Sequence, residues 1–373
     1  MMRFSTLLKN PAEWMANDDE GHSVVLTSRI RLARNIADEP FPGWAKKEER
    51  ISVLKRVRGE VEDLPGMKDA FSHGLEELSS VQKQVLVERH LISREQAARG
   101  EGSAAIVNRK QNFSLMLNEE DHLRMQSIRA GLSLSEAFEQ LSQLESNLSE
   151  QVPFAFDSRL GYLTACPTNV GTGMRASAML HLPGLVLADE VGPALQGVAR
   201  LRLAVRGFYG EGTESLGNLF QVSNQSTLGE SEQEIVSRLE RVIRDVEIHE
   251  LNARQRLLEN DPEMIFDRIG RAYGVLKYSH IIPSKEALNL LSLLRLGAEL
   301  GFFEKGLRKV CDLLLMDIQP AHLQLQTGKK LDPDSRDFLR AEIIRGRLQN
   351  LPPPTIDNSK LEGLQASDEI DDE

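Results

Sequence analysis

A thiol, two glycines and a guanidinium fall within ten residues at Cys166-Pro167-Thr168-Asn169-Val170-Gly171-Thr172-Gly173-Met174-Arg175. Three further segments carry groups of matching chemistry: Thr27-Ser28-Arg29-Ile30-Arg31, Asn118-Glu119-Glu120-Asp121-His122-Leu123-Arg124 and Arg206-Gly207-Phe208-Tyr209-Gly210-Glu211-Gly212. If Arg29, Arg31, Arg124, Arg175 and Arg206 share a cleft, they repel one another unless a multivalent anion sits among them, and ATP with magnesium is such an anion. One arginine alone is most simply half of a surface salt bridge. The set points elsewhere because each member lies in a Gly-, Ser/Thr- or Asn-rich stretch, read here as loop, rather than on a helical pattern. Glu120 and Glu211 are the carboxylates suited to grip a planar guanidinium bidentately and turn one nitrogen toward a phosphorus. Taken alone, Glu119-Glu120 reads as an acidic helix start. Arg124 four residues on, with Asp121 and His122 as supporting partners, tips the reading toward a site. Cys166 is either a small buried apolar residue or, in a polar loop near Arg175, a thiol placed to favour its anion beside a cationic acceptor. His90 is either a nucleotide-stacking residue or a structural histidine.

The elements that must hold these groups are partly visible. Ser231-Glu232-Gln233-Glu234 is a capping box ahead of Ile235, Leu239, Val242 and Val246 at helical spacing. Ser133, with Glu136 three residues on, opens a second helix carrying Ala137, Leu141, Leu144 and Leu148 on one face. Ser103 to Val107, Phe113 to Leu117 and Leu201 to Val205 read as strands of a central sheet. After about residue 256 the pattern turns leucine-rich and helical, with Ser284 as a cap, Gly301 as a stop and Asp332-Pro333 as a further start. The expected organisation is an N-terminal extension (1–21), a catalytic domain (22–255), a helical domain (256–350) and a disordered acidic tail (351–373).

Composition excludes several classes. A net charge of -11 argues against general nucleic-acid affinity. Two cysteines, Cys166 and Cys311, suit a reducing compartment and no disulfide framework. The first twenty residues lack a signal-peptide core, and no stretch approaches the roughly 18 apolar residues of a membrane span. A cytoplasmic protein is expected.

On the four motifs above, residues 22 to 255 resemble the ATP:guanidino phosphotransferases, the family of creatine and arginine kinases. The resemblance implies an α+β fold, a large antiparallel sheet flanked by helices rather than a Walker-type nucleotide fold, and the chain has no Gly-x-x-x-x-Gly-Lys-Ser/Thr. It implies that Thr27 to Arg31, His90, Arg124, Arg175 to Met179 (with Ala176, Ser177 and Ala178) and Arg206 to Glu211 bind ATP. It also implies that Glu120 and Glu211 hold the acceptor guanidinium with Cys166 beside it, and that magnesium is held mainly through the ATP phosphates. Only 27 residues precede Ser28, which leaves no room for the helical N-terminal domain that closes over free amino acids in the small-metabolite kinases. The chain is therefore more similar to the family's bacterial protein-arginine kinase branch.

That branch carries a phosphoarginine-binding Arg-Asp-x-x-Arg-Ala motif, matched by Arg336, Asp337, Arg340 and Ala341. On a helix, Arg336 and Arg340 rise from one face and can fork onto one phosphate; the spacing by itself reads better as an ordinary charged helix surface, and only the family context favours binding. The expected activity is transfer of the γ-phosphoryl of ATP to arginine residues of proteins. The alternatives are a small-guanidino kinase and a catalytically silent phosphoarginine-binding adaptor. The resemblance further implies allosteric regulation, stress response and protein quality control through a Clp ATPase and its protease, a zinc-binding activator protein, a heat-shock repressor among the substrates, and a homodimer.

Overall fold

Within Val25–Arg34 (β1) the run Arg29-Ile30-Arg31-Leu32 alternates polar and apolar, so Arg29 and Arg31 leave one face of an extended chain while Ile30 and Leu32 leave the other. The computed structural model describes residues 2–9, 11–15, 24–207 and 215–355, and β1 lies inside an eight-stranded sheet. The other members are β2 (Phe71–Gly74), β3 (Ala104–Val107), β4 (Phe113–Leu117), β5 (Leu123–Ala130), β8 (Met174–His181), β9 (Leu203–Gly207) and β10 (Leu219–Asn224). Their order is β2-β3-β4-β5-β1-β8-β10-β9, and every neighbouring pair is antiparallel. Two short strands, β6 (Phe156–Asp157) and β7 (Gly161–Tyr162), form a separate hairpin.

One face of the sheet is apolar. Ile30, Leu32, Leu115, Leu123, Met125, Ala176 and Val222 pack there against helices Lys47–Asp63, Leu134–Ser149 and Glu232–Asn260. Each fully buried aliphatic side chain contributes about 1.5–3 kcal/mol, so this layer fixes which way the alternating arginines point. The opposite face carries the polar set.

Past the sheet the chain is helical: Pro262–Tyr278, Ser284–Glu299, Leu307–Asp317, Pro320–Thr327 and Pro333–Leu348 close over a second core of leucine, isoleucine and phenylalanine. The α+β architecture, a large antiparallel sheet flanked by helices with a helical C-terminal part, is the expected one.

The details differ instructively. The Ser231 capping box is present, with Glu234 accepting from the Ser231 amide at 2.8 Å, but its helix runs past residue 255 to Asn260, and the chain reverses at Asp261-Pro262. Ser133 does not cap its helix; its hydroxyl donates back to Ala130 O, and its amide donates to Ser28 Oγ. Ser284 is the first helical residue behind Pro283, which offers no side-chain cap. Asp332 caps as expected, accepting from Ser335 N at 2.8 Å. β9 begins two residues later than expected, because Arg202 takes a left-handed turn with φ 58°. Within the expected N-terminal extension, Met2 and Leu7 are buried, and the Met2 amide donates to Ala70 O. The start of the expected disordered tail is likewise fixed, since Leu351 O accepts from Tyr273 and Lys277 and the Thr355 amide donates to Phe302 O. Residues 356–373 lie outside the described residues.

Candidate active site

Strand register assembles the cations. Arg31 stands directly opposite Arg175 on β8, Arg124 on β5 stands opposite Ala33, and Arg206 on β9 stands opposite Gln221 of β10. All five arginines are therefore strand residues on one face, not loop residues as the composition of their segments suggests. Arg31, Arg124, Arg175 and Arg206 border an open cleft of about 770 Å³, shared with Glu120, Cys166 and Asn169. A smaller pocket of about 310 Å³ adjoins it, bordered by Thr27, Arg29, His90, Ile128, Ser177 and Met179, and Gln221 belongs to both walls.

The cleft holds more positive charge than its walls offset. Burial, followed by Arg29, Arg124 and Arg175, holds the Arg31 guanidinium well below its ordinary pKa, with Glu119 acting in the opposite direction. Arg29 is lowered to about 10 by burial and then by Arg124. Arg175 is lowered by burial, then by Arg206 and Arg124. Among the described residues one carboxylate is ion-paired within the set: Glu119 takes Nη1 of Arg124 on both oxygens, at 3.0 and 2.8 Å. Arg31 Nε is buried with no hydrogen-bond partner there. A buried guanidinium nitrogen without a partner, among guanidiniums that repel one another, is an arrangement whose charge a multivalent anion could offset.

Glu120 projects from the turn between β4 and β5 and is exposed to the cleft. Asn118 starts that turn in the left-handed region with φ 53°, and its side-chain amide ties it to Gly102 O and Arg50 O. The next residue, Asp121, is buried and accepts from Asn35 Nδ2 and from the Ala165 amide, both at 2.6 Å. His122 accepts from the Ile36 amide through Nδ1 and donates to Pro40 O through Nε2, a neutral ring whose pKa burial lowers to about 4. Asp121, through the Ala165 amide, binds the Glu120 turn to the Cys166 loop, and His122 fastens the same turn to Ile36 and Pro40. Burial, then Asp121 and Glu119, raise the Glu120 pKa, while Arg124 and a hydrogen bond from Cys166 oppose the rise.

The Cys166 loop is held by close backbone approach. Gly171 has φ 112°, and a Cβ there would meet Thr227 O at 2.2 Å, so only glycine fits. Thr227 Oγ1 donates to Thr168 O and Val170 O, and Arg34, buried beneath the loop, donates to Thr172 O. Cys166 Sγ lies 3.0 Å from Thr168 Oγ1. At the far end of the loop, Arg175 donates to Asn224 O and, at 3.4 Å, to Asn169 Oδ1.

The structure thus brings Arg31, Arg124, Arg175, Arg206, Glu120 and Cys166 to one cleft, and Thr27, Arg29, His90, Ser177 and Met179 to the pocket beside it. It does not bring Ser28, Ile30 or Ala176 there. Strand alternation turns them into the apolar layer, where Ile30 and Ala176 are fully buried and the Ser28 hydroxyl donates to Gly131 O. The Ala178 side chain sits in the same layer, although the residue borders the smaller pocket. Gly207 ends β9; Phe208, Tyr209, Gly210 and Glu211 lie outside the described residues. Gln221 was missed: it accepts from Arg29 Nη2 at 3.1 Å, and its signal, a polar residue alternating within Leu219–Asn224, is common to most half-buried strands.

In the helical part, Arg336 is partly exposed, whereas Arg340 is buried. Arg340 donates from Nε to Ile318 O and from Nη1 to Ile282 O and to Asp337. Two of its nitrogens are therefore committed to backbone carbonyls at the borders of neighbouring helices and to Asp337, and only Nη2 makes no hydrogen bond among the described residues. A fork of two whole guanidiniums onto one phosphate is not available in this arrangement.

Residues 52–253 match the model of the ATP:guanido phosphotransferase C-terminal catalytic domain, and residues 262–359 match that of the protein-arginine kinase McsB C-terminal domain. The chain is 43% identical over 340 residues to a protein-arginine kinase of Halothermothrix orenii, covering 91% of this chain and 97% of that one. It is equally identical to one of Bacillus cereus, covering 90% and 95%. Among solved structures, a lombricine kinase superposes with TM-score 0.55 at 26% identity, over 63% of this chain and 67% of that one. The duplicated taurocyamine kinase of Schistosoma mansoni with bound transition-state-analogue components gives 0.57 at 26%, over 73% and 39%.

Proposed function

Since the chain belongs to the protein-arginine kinases of the ATP:guanido phosphotransferase family, we propose that this cleft transfers the γ-phosphoryl of ATP to the guanidinium of arginine residues in proteins. The observation that carries the reading is the meeting of Glu120 and Cys166 with four phosphate-sized cations at one cleft, next to a pocket of nucleoside character. Arg29 and His90 border the nucleoside side; Arg31, Arg124, Arg175 and Arg206 hold the phosphates in line and offset charge on the transferring group. Arginine is a poor nucleophile because its guanidinium stays protonated to a pKa above about 12. Glu120 orients the acceptor nitrogen and takes its proton, a role its raised pKa favours, and Glu211 completes the grip in this proposal. Cys166, hydrogen-bonded to Glu120, tunes charge beside the acceptor.

In this proposal magnesium is carried on the nucleotide's phosphates. Bound there, the ion would neutralise phosphate charge. The motif Arg336, Asp337, Arg340 and Ala341 is proposed as a phosphoarginine contact made by Arg336 and the remaining Nη2 of Arg340. No helix among the described residues is long and apolar enough to cross a membrane. The proposed setting is the bacterial cytoplasm, as a homodimer, with a zinc-binding activator, a Clp ATPase and a heat-shock repressor as partners. Mass spectrometry of a reacted unfolded protein, under conditions that preserve phosphorus–nitrogen bonds, tests the reaction. Arginine-linked phosphate that disappears in Glu120→Ala supports it; transfer to free arginine alone, or full transfer by the variant, defeats it.

A further inference from the structure

The helical part grips the end of the helix that delivers His90. Helix Ser80–Glu88 stops with two charged residues, Glu88 and Arg89, both buried. The Glu88 carboxylate accepts from the backbone amides of Ala321 and His322, at 2.8 and 3.1 Å, and so closes the N-terminus of helix Pro320–Thr327 across 233 residues of sequence. It also faces His322 Nδ1 at 2.8 Å. On the other side of the same ring, Arg89 Nε donates to His322 Nε2 at 3.2 Å. A ring that accepts at Nε2 keeps its proton on Nδ1 for Glu88, so one imidazole tautomer satisfies both neighbours. Arg89 is further fixed by Leu7 O, Leu8 O and Gln111 Oε1.

The next residue is His90, on the wall of the smaller pocket. Its backbone is left-handed, with φ 58°, and its carbonyl accepts from Gln126 Nε2 at 2.6 Å. A non-glycine residue leaves that conformation unless its neighbours hold it. The holding comes from both sides: Gln126 of the sheet, and the Glu88-Arg89 pair locked to His322. From this geometry we infer that His322 is a positioning residue for the nucleotide pocket: by clasping Glu88 and Arg89 it sets His90 against the nucleoside, so the pocket is completed by the helical part of the chain. This rests on the reading of the smaller pocket as the nucleoside side.

The test uses the full chain and Mg-ATP, with affinity read by calorimetry and KM and kcat read by steady-state phosphoryl transfer. His322→Ala is expected to weaken ATP about tenfold, corresponding to about 1.4 kcal/mol. It leaves kcat at saturating ATP within about twofold and the KM for the protein acceptor unchanged. In His322→Gln the side-chain carbonyl can reach the place of Nε2 and accept from Arg89, so most of the ATP affinity returns. An architectural role alone would lower the active fraction, and hence kcat, without moving KM for ATP. Unchanged ATP affinity in His322→Ala, or equal losses in both variants, overturns the proposal. If His322→Ala does not fold, Glu88→Gln decides, because it keeps an oxygen for the helix amides while weakening the link to the ring: a raised KM for ATP supports the clasp, and an unchanged one removes it. Absence of ATP binding by the unaltered chain would sink the functional reading itself, and the clasp with it.

Discussion

Two arginine clusters share β8, one at each end, and they are built on opposite principles. At the Met174 end, Arg175 joins Arg29, Arg31, Arg124 and Arg206 around one paired carboxylate, Glu119. At the other end, His181 touches Arg295 and, through its carbonyl, Arg254. There, Glu250, Glu299 and Asp312 pair with the two buried guanidiniums. Burial opposes the charge on Arg295, but Asp312 and Glu299 prevail and raise its pKa; in the cleft, burial and like charge act together and lower that of Arg31. Arginines matched by carboxylates hold the sheet to the helical part. Arginines left largely unmatched keep a surplus of positive charge, the charge the proposed function assigns to phosphate binding.

The contrast is broken most severely by exchanging its two outcomes. Arg175→Ala should cut phosphoryl transfer about 10²–10³-fold, the usual loss when one preorganised charge contact to a reacting group is removed, with the fold intact. Arg295→Ala should instead cost about 3–5 kcal/mol in denaturant unfolding, because Asp312 loses its counter-charge and Glu299 is left with Arg254 alone. Comparable stability losses in the two variants would erase the distinction. A smaller effect of opposite sign is expected from Arg31→Met: relief of repulsion raises apo-protein stability by up to about 1 kcal/mol while activity falls. A destabilised apo form would show that the cleft is not under charge strain.

The pH profile sharpens the same point on the acidic partner. Because the folded-state pKa of Glu120 is raised, its carboxylate protonates as pH falls while an ordinary glutamate is still ionised. The acid limb of kcat/KM, followed by ADP release, should therefore lie above the ordinary carboxylate range. Cys166→Ala removes a hydrogen bond that opposes the rise, so it should move that limb further up. An acid limb left in place by Cys166→Ala would remove the thiol from this role.

The legible part of the molecule was the part written in local physics. The Ser231 box and the Asp332-Pro333 start declare helices because capping chemistry is local. The arginine and carboxylate motifs were visible as types, but composition misled about their context: Ser28, Ile30 and Ala176 look like motif members, and strand alternation sends them into the core. Gln221 carried only the alternation common to half-buried strands, and His322 had no signal of its own. Each acts only through residues about two hundred positions away, Arg29 for one and Glu88 with Arg89 for the other, and such pairings are set by tertiary packing rather than by sequence pattern.

Helix Glu232–Asn260 is shared by both parts of the chain without interruption. Its early turns pack under the sheet, and its later turns carry Glu250 and Arg254 to the junction with helix Ser284–Glu299. Cutting the gene at the apparent border near residue 255 would sever a helix mid-turn and part Arg254 from Glu299. Limited proteolysis should accordingly find no accessible hinge there, and the two halves should melt as one cooperative unit.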